Sequence, residues 1–351
     1  MDRLKQDRPE GDKGRFLVRA YREGDEYAIN EMFNEVFGQT RDLSHWYWRY
    51  RDNPWGSYVI SLAETDEGIL AAHYAGTPMR VCSSLSGEKA ASEFTVYHIG
   101  DKMTRRRFRG IGRGKSSVLA KTVEHFCAAY CRGRIPFYYG FLTHHSLRFG
   151  LLFLDYKTIE PVHFRFMSAE AVQGMTQRRS LGDVLAGVTV CETGEVDERW
   201  SEFFREAAPH YGYLVKRDHH YLKWRYLNRP DRDYLFLTVM RRNRVAAWSV
   251  FYRDGVRIIW GDALFHPRYP ELARLLLSSL RRNPLSLGTQ SLEGWFPSRP
   301  EWSDALISGL GFQAAQEPNN LHFTRVAFAH NDIDGPLRER FYYTMGDSDL
   351  F

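Results

Sequence analysis

The sequence predicts an α+β protein in which a mixed sheet flanked by helices is laid down twice in tandem. Three observations carry this. A tetrad recurs, as Trp48-Arg49-Tyr50 with Pro54 and as Trp224-Arg225-Tyr226 with Pro230, with His45 and His220 ahead of the copies at nearly the same distance. The same order of strand-like and helix-like segments follows each copy. A glycine-rich loop stands between a strand and a helix in the first copy only.

In the first copy Phe16-Leu17-Val18 reads as a short strand. Asp25 reads as the cap of a helix through Phe37, with Ile29, Met32, Phe33 and Val36 on one face. A second helix, about 43–50, ends before Asn53-Pro54 because the residue before proline avoids the helical region. Alternating and apolar runs predict strands near 57–63, 69–81 and 90–103. After the glycine loop a helix is expected over 115–131, on the spacing of Val118, Leu119, Thr122, Val123, Phe126, Cys127 and Tyr130. Phe137–Phe141 reads as a buried strand. A short helix near 144–153 and a strand near 158–167 close the copy.

The second copy follows the polar stretch 168–183. Val188–Cys191 reads as its first strand, and 196–207 and 217–226 read as helices. Strands near 234–240, 245–253 and 256–264 precede a helix at 270–281. A strand near 287–292, a helix at 301–309 and a strand near 319–327 complete it. The expected domains are 15–167 and 184–328, with a tail at 329–351. The tail's acidic, aromatic run Tyr342–Asp349 has no assigned place.

The 351 residues suffice for two domains, and 43% hydrophobic with 26% charged residues excludes a mainly disordered chain. The apolar run 150–154 is far short of the ~20 residues of a membrane helix. The first residues, Met1–Asp7, carry no apolar signal core, so a cytoplasmic protein is expected. A formal charge of +5 suits anionic ligands and is no nucleic-acid signature by itself. Cys127 and Cys131 lie one helical turn apart with no second pair, which reads as buried thiols rather than zinc ligands.

The strongest local signal is Thr104-Arg105-Arg106-Arg107-Phe108-Arg109-Gly110-Ile111-Gly112-Arg113-Gly114-Lys115. Glycines let backbone N–H groups approach a diphosphate, and the following helix adds partial positive charge. The flanking arginines and Lys115 would pair with phosphate oxygens. A Walker loop is excluded, because Arg109 stands where its first glycine is needed ahead of Gly114-Lys115-Ser116. A dinucleotide loop lacks its third glycine and its acidic partner. The remaining pattern, Arg-x-x-Gly-x-Gly, fits twice, at Arg107/Gly110/Gly112 and Arg109/Gly112/Gly114.

With this loop and the Trp-x-Tyr-x-x-Asn-Pro segment ending at Pro54, the chain resembles the GNAT acyltransferase superfamily in a tandem arrangement. His-Pro of the family's loop is replaced by Arg105-Arg106, while the aromatic, the arginine and the glycines stand. The resemblance implies two mostly antiparallel twisted sheets, each with a central splay. It implies acetyl-CoA or another acyl-CoA as co-substrate. The cofactor residues would be Met103, Thr104, Arg109, Gly110, Ile111, Gly112, Arg113, Gly114 and Lys115, with pantetheine between the strands near 90–103 and 137–141. The second copy departs from this. It reads Phe265-His266-Pro267-Arg268-Tyr269-Pro270, without glycines, and is expected to hold no cofactor.

Acyl transfer needs a neutral nucleophile, a stabilised oxyanion and a proton for the leaving thiolate. The resemblance puts the oxyanion on a backbone N–H near residues 102–104. Glu93, His98 and Asp101 are the candidate bases on that strand, and His98 titrates in the useful range. The family's tyrosine acid would fall at Gly150 or Leu151, so the acid is absent or supplied by Tyr139, His144, His145 or water. The catalytic candidates are thus His98, Tyr139 and His144, with no metal expected. Trp46, Tyr47, Trp48 and Tyr50 line an acceptor pocket or belong to the core. The expected activity is acyl transfer from acyl-CoA to an amine or hydroxyl of a small molecule such as a sugar, without a nucleic-acid partner. The rival readings are aminoacyl transfer from a charged tRNA, as in Fem-type enzymes, and a non-catalytic CoA-binding scaffold.

Overall fold

The computed structural model describes residues 16–84, 92–174, 187–329 and 332–351, apart from the side chains of His144 and His145. The first copy runs β1 (Phe16–Ala20), α1 (Asp25–Phe37), α2 (Leu43–Tyr50), β2 (Ile60–Thr65), β3 (Leu70–Ser83) and β4 (Ser92–Thr104). It continues with α3 (Val118–Phe126), β5 (Phe137–Leu142), α4 (His144–Phe153), β6 (Lys157–Pro161), β7 (Phe164–Ser168) and α5 (Ala169–Gly174). The second runs β8 (Val188–Glu192), α6 (Glu198–Ala207), β9 (Tyr213–Val215), α7 (His219–Leu222), β10 (Leu235–Arg241), β11 (Arg244–Asp254) and β12 (Arg257–Leu264). Then come α8 (Glu271–Arg282), β13 (Ser291–Trp295), α9 (Glu301–Gly309), β14 (Gln313–Ala315), β15 (His322–Ala327), α10 (Asp334–Arg340) and β16 (Phe341–Tyr342). The turn that Ser84-Leu85-Ser86-Gly87 predicts between the strands near 69–81 and 90–103 falls mostly outside the described residues.

Local chemistry sets the element ends. Asp42 and Asp218 cap α2 and α7, accepting from the N–H groups of Ser44 and Tyr221. Ser117 caps α3, which therefore starts three residues later than the sequence suggests and passes into a π turn at Cys127–Cys131. Both thiols are free and buried there. The last strand of the expected 287–292 run is displaced to β13, because Gly288 is left-handed and a 3-10 turn occupies Pro284–Ser286.

Among the described residues the first sheet has the order β1-β2-β3-β4-β5-β15-β6, and the second β14-β7-β13-β12-β11-β10-β8. The first copy thus lends β7 to the second sheet, and the second copy lends β15 to the first, along with β9, which pairs with β3 and carries β16. The run near 158–167, expected as one closing strand, breaks at Val162-His163 into β6 and β7, which lie in different sheets. Neither Val162 nor His163 takes up the positive φ that a two-residue hairpin turn needs, so β7 does not fold back between β5 and β6. It runs onward between β13 and β14, while β15 fills the vacated place between β5 and β6. The crossing keeps its backbone satisfied, with Val162 N–H donating to Leu321 and Phe296 N–H to His163. The two copies consequently share one apolar core that runs from Trp48, Met79 and Phe141 to Trp260 and Trp295.

The repeated tetrads meet at the pseudo-twofold axis. Trp48 Nε1 donates to the Trp224 carbonyl at 2.6 Å, and Trp224 Nε1 returns the bond to Trp48 at 2.7 Å. Their rings stack at 5.3 Å. Residues 344–351, unplaced by sequence, form a strap wedged between the copies. Thr344, Asp347 and Ser348 are buried, and Phe351 packs on the face of Gly261, where a Cβ would overlap its ring.

Candidate active site

The site is built at the end of β4. Here β4 pairs with the parallel β5 only at Tyr97 with Tyr138 and His98 with Tyr139. Beyond these pairs the two strands separate, which is the splay. On its other side β4 carries a bulge against β3, where the register shifts between His73 and Ala75. Asp101 sits in the bulge at φ 50°. Its carboxylate takes Arg41 at 2.5 Å and Arg49 at 3.3 Å, and its carbonyl lies 2.8 Å from His73 Nδ1. Despite the burial, the two guanidinium groups hold the Asp101 carboxyl far below the usual range. Asp101, a base candidate by sequence, is thereby a structural anchor. Glu93 pairs with Lys216 and Arg80, on the β3 edge carrying β9, and is remote from the splay.

The glycine loop follows. Gly110, Gly112 and Gly114 have φ of 86°, 71° and 56°, a conformation that only glycine adopts without strain. Gly112 is also constrained by space, since a Cβ there would lie 2.2 Å from the Ser116 carbonyl oxygen. Among the described residues no group accepts from the N–H of Gly110, Gly112 or Arg113. These donors lie just ahead of the capped N-terminus of α3, which suits an anion. Not every flanking arginine is available for it. Arg105 is buried, donates to Leu70 O and pairs with Glu35, so it ties the loop to α1. Arg109 Nε donates to the Thr104 carbonyl at 3.0 Å, while Arg106 and Arg107 are exposed.

From the loop a cleft runs along the end of β4. One part, about 150 Å³, is bordered by Thr104, Phe108–Ile111, Ser117 and Phe149. The next, about 430 Å³, is bordered by Val36, Lys102, Met103, Thr104, Leu119 and Phe149. It therefore joins the glycine loop to β4, α3 and α4, as a pantetheine arm requires. Lys102 enters this wall with its ammonium buried and unpartnered, and burial lowers its pKa to about 8. The sequence reading named this residue only for its backbone.

The three catalytic candidates are not brought together as one group. His98 is buried on the face of β4 opposite Lys102, beside Tyr139 at 5.3 Å between rings. Burial lowers its pKa to about 4, with Asp349 3.9 Å away opposing the shift. Its Nε2 has no hydrogen-bond partner and borders a void of about 30 Å³, space for roughly one water. Tyr139 is wholly buried, and its hydroxyl donates to the Asp347 carbonyl at 3.2 Å. It anchors the strap. His144 opens α4, but its side chain, like that of His145, lies outside the described residues. No cluster of three metal-ligating side chains occurs among the described residues.

Neither expected tyrosine position suits an acid. A Cβ on Gly150 would stand 2.9 Å from the Tyr156 ring, and Leu151 is exposed. Trp46 and Tyr50 belong to the core under α1 and α2, whereas Trp48 borders the void beside His98.

The second copy carries the scaffold without the cradle. At 265–270 the turn consumes its own donors, with Tyr269 N–H on His266 O and Arg268 N–H on His266 Nδ1. Trp260, Phe265, Phe296 and Phe312 fill the space between the strand ends. In place of Asp101 with Arg41 and Arg49 stands Asp262 with Arg217. The correspondence was written in the sequence, for Arg41-Asp42 and Arg217-Asp218 each stand seven residues ahead of the repeated tryptophan.

The strand order, the splay and the glycine loop before α3 together decide the architecture. The fold is GNAT-like. Solved structures agree across most of the chain. A conserved protein of unknown function from Enterococcus faecalis V583, a probable N-acyltransferase, superposes with TM-score 0.64 at 11% identity over 90% of this chain and 73% of its own. A GCN5-related N-acetyltransferase from Anabaena variabilis ATCC 29413 gives 0.62 at 11% identity with the same coverage. Saccharomyces cerevisiae N-myristoyltransferase, solved with bound myristoyl-CoA, gives 0.57 at 8% identity over 96% of this chain and 87% of its own. At these identities the likeness is one of fold. No family model matches the sequence, and no curated protein matches it. The GNAT-like architecture occurs here twice, and among the described residues no helix is long and apolar enough to cross a membrane.

Proposed function

We propose that this chain transfers an acetyl or longer acyl group from acyl-CoA to the amine or hydroxyl of a small-molecule acceptor. The observation that carries this is the set of free N–H groups at Gly110, Gly112 and Arg113, opening into a cleft along the splayed end of β4. The diphosphate would lie on the amides of 109–115 and the pantetheine beside Met103 and Thr104. The copy spanning 15–167 would hold acyl-CoA, and that spanning 184–328 would brace it, with 329–351 as the strap. The intact cradle favours CoA over a charged tRNA as the donor, and the working compartment would be the cytoplasm.

Gly110 offers a clean test, because its Cβ position is open. Gly110→Glu adds bulk and negative charge where the diphosphate would sit, at a local strain of about 1–2 kcal/mol. Calorimetry should show one acetyl-CoA per chain for the wild type and an affinity lower by at least about tenfold for the variant, through lost anion contacts. Equal affinities, or two equivalent sites, would overturn the reading.

The acceptor would approach between the copies, at the mouth formed by Asp349 beside His98. His98 is the base on that wall, neutral above its lowered pKa. Once an acceptor is found, His98→Ala should reduce turnover by about 100-fold, while Tyr139→Phe should leave turnover nearly intact. The reverse pattern would restore Tyr139 as the acid and remove His98.

A further inference from the structure

We propose that the Lys102 ammonium is the acid that protonates the leaving CoA thiolate. The inference rests on the acyl-CoA reading and assigns a residue that reading leaves out. Three features of the geometry lead to it. The Asp101 bulge fixes the end of β4. Asp101 and Met103 face α1 and α2, whereas Lys102 turns toward α3 and α4, where its ammonium lies 5.5 Å from the Tyr156 ring. The cleft opens at this strand end, and Lys102 borders it together with Val36, Met103, Thr104, Arg109 and Phe149. Its Nζ is buried and makes no hydrogen bond among the described residues. A buried ammonium without a partner is costly, and a fold retains one where a ligand supplies the missing interaction.

The surroundings explain why this lysine, and not a neighbour, suits the task. Tyr156 lies 2.5 Å, hydroxyl to hydroxyl, from Tyr74, and Tyr138 packs behind them. Burial pushes all three phenols up, so they stay protonated, and the Tyr74 and Tyr156 hydroxyls are occupied with each other. Arg109 is the other cation bordering the cleft, and a guanidinium does not release its proton. Asp101 and His73 lie on the opposite face of β4, committed to Arg41, Arg49 and each other. No carboxylate neutralises Lys102, and burial alone brings its pKa to about 8.

The step balances. The acceptor nitrogen or oxygen bonds to the thioester carbon, and the carbon–sulfur bond breaks with its electron pair on sulfur. Lys102 gives a proton to that sulfur. The acceptor's surplus proton goes to His98, which passes it to solvent, and the neutral Lys102 amine regains one from solvent, so no proton is gained or lost by the protein.

The test needs no acceptor. Coenzyme A is bound to the wild type and to Lys102→Met and Lys102→Gln, and its thiol is titrated by the ultraviolet absorbance of the thiolate. A facing ammonium should make the wild-type-bound thiol titrate at least about one pH unit lower than in either variant. Both variants should bind CoA within a few-fold of wild type, since the glycine loop is untouched. A thiol that titrates alike in all three proteins overturns the role of Lys102 and leaves the acyl-CoA reading standing. A wild type that binds no CoA overturns both.

Discussion

Asp262→Ala should lower the unfolding free energy by about 3–5 kcal/mol, the cost of leaving a buried charge without its partner. Arg217 and Asp262 are both fully buried, with Arg217 Nε 3.0 Å from Asp262 Oδ1. The second Arg217 branch takes Asp347 at 2.7 Å, and Arg217 Nη1 donates to the Val215 carbonyl. Asp262 also accepts from the Tyr226 hydroxyl at 2.6 Å and from Thr344 Oγ1 at 2.8 Å. One truncation therefore leaves the guanidinium with a single carboxylate, strands a phenol and unhooks the strap at Thr344. Asp347, which burial pushes toward the protonated form, cannot fully replace the lost charge. The exposed pair Arg132–Glu124, at 2.7 Å, is the internal control, and Glu124→Ala should cost no more than about 1 kcal/mol. Urea denaturation of the two variants compares them directly. Similar midpoints would show that the buried network contributes no more than a surface pair.

The second large effect is acid sensitivity. Burial is the main cause that lowers His45, His73 and His98 to a pKa of about 4 each. The folded chain therefore stays unprotonated at these rings while the unfolded chain binds protons near pH 6.5. With the folded pKa below the unfolded one, this contribution is fully present above about pH 6.5 and drains away as the pH falls toward 4. Each ring contributes a slope of up to about 1.4 kcal/mol per pH unit, so three together reach about 4 kcal/mol per unit. Asp101, held below its ordinary range, adds a loss at still lower pH. Asp347, raised by burial, works in the opposite sense, its contribution being present at low pH and lost as the pH rises. The unfolding midpoint should accordingly fall steeply between pH 6.5 and 5, and His98→Asn should flatten that fall by roughly a third of the three-histidine slope. A midpoint unchanged over this interval would show that the rings are protonated alike in both states.

These two predictions rest on features of different legibility. The candidate cleft was largely legible, because its chemistry is local. Gly110, Gly112 and Gly114 announce backbone conformations that other residues resist, and they stand between a strand and a helix whatever the rest of the chain does. The caps at Asp42 and Asp218 and the repeated Trp-Arg-Tyr are likewise properties of a few consecutive residues. The partner of the Tyr139 hydroxyl was not legible, for the opposite reason. An apolar strand sequence says that a side chain is buried, but not that a strap from 208 residues away will take up its hydroxyl. Lys102 was passed over because a lysine on a strand ordinarily turns its charge to solvent, and only the Asp101 bulge and the packing of Tyr156 show that this one does not.

By itself the sequence determined that the chain is two copies of one α+β plan, that one copy carries a glycine loop between a strand and a helix, and that the other has Pro267 and Pro270 and no glycine at that place. Periodicity, caps and turn residues act within a few positions, so they survive in the sequence as patterns. The tertiary structure alone decided that β7 and β15 change places, that Trp48 and Trp224 bind each other's carbonyls, and that residues 344–351 lie between the copies. Strand partners depend on where a chain can turn, and Val162-His163 does not take up the positive φ of a tight hairpin turn. A strand's hydrogen bonds are the same with either sheet, so no residue pattern records which sheet receives it.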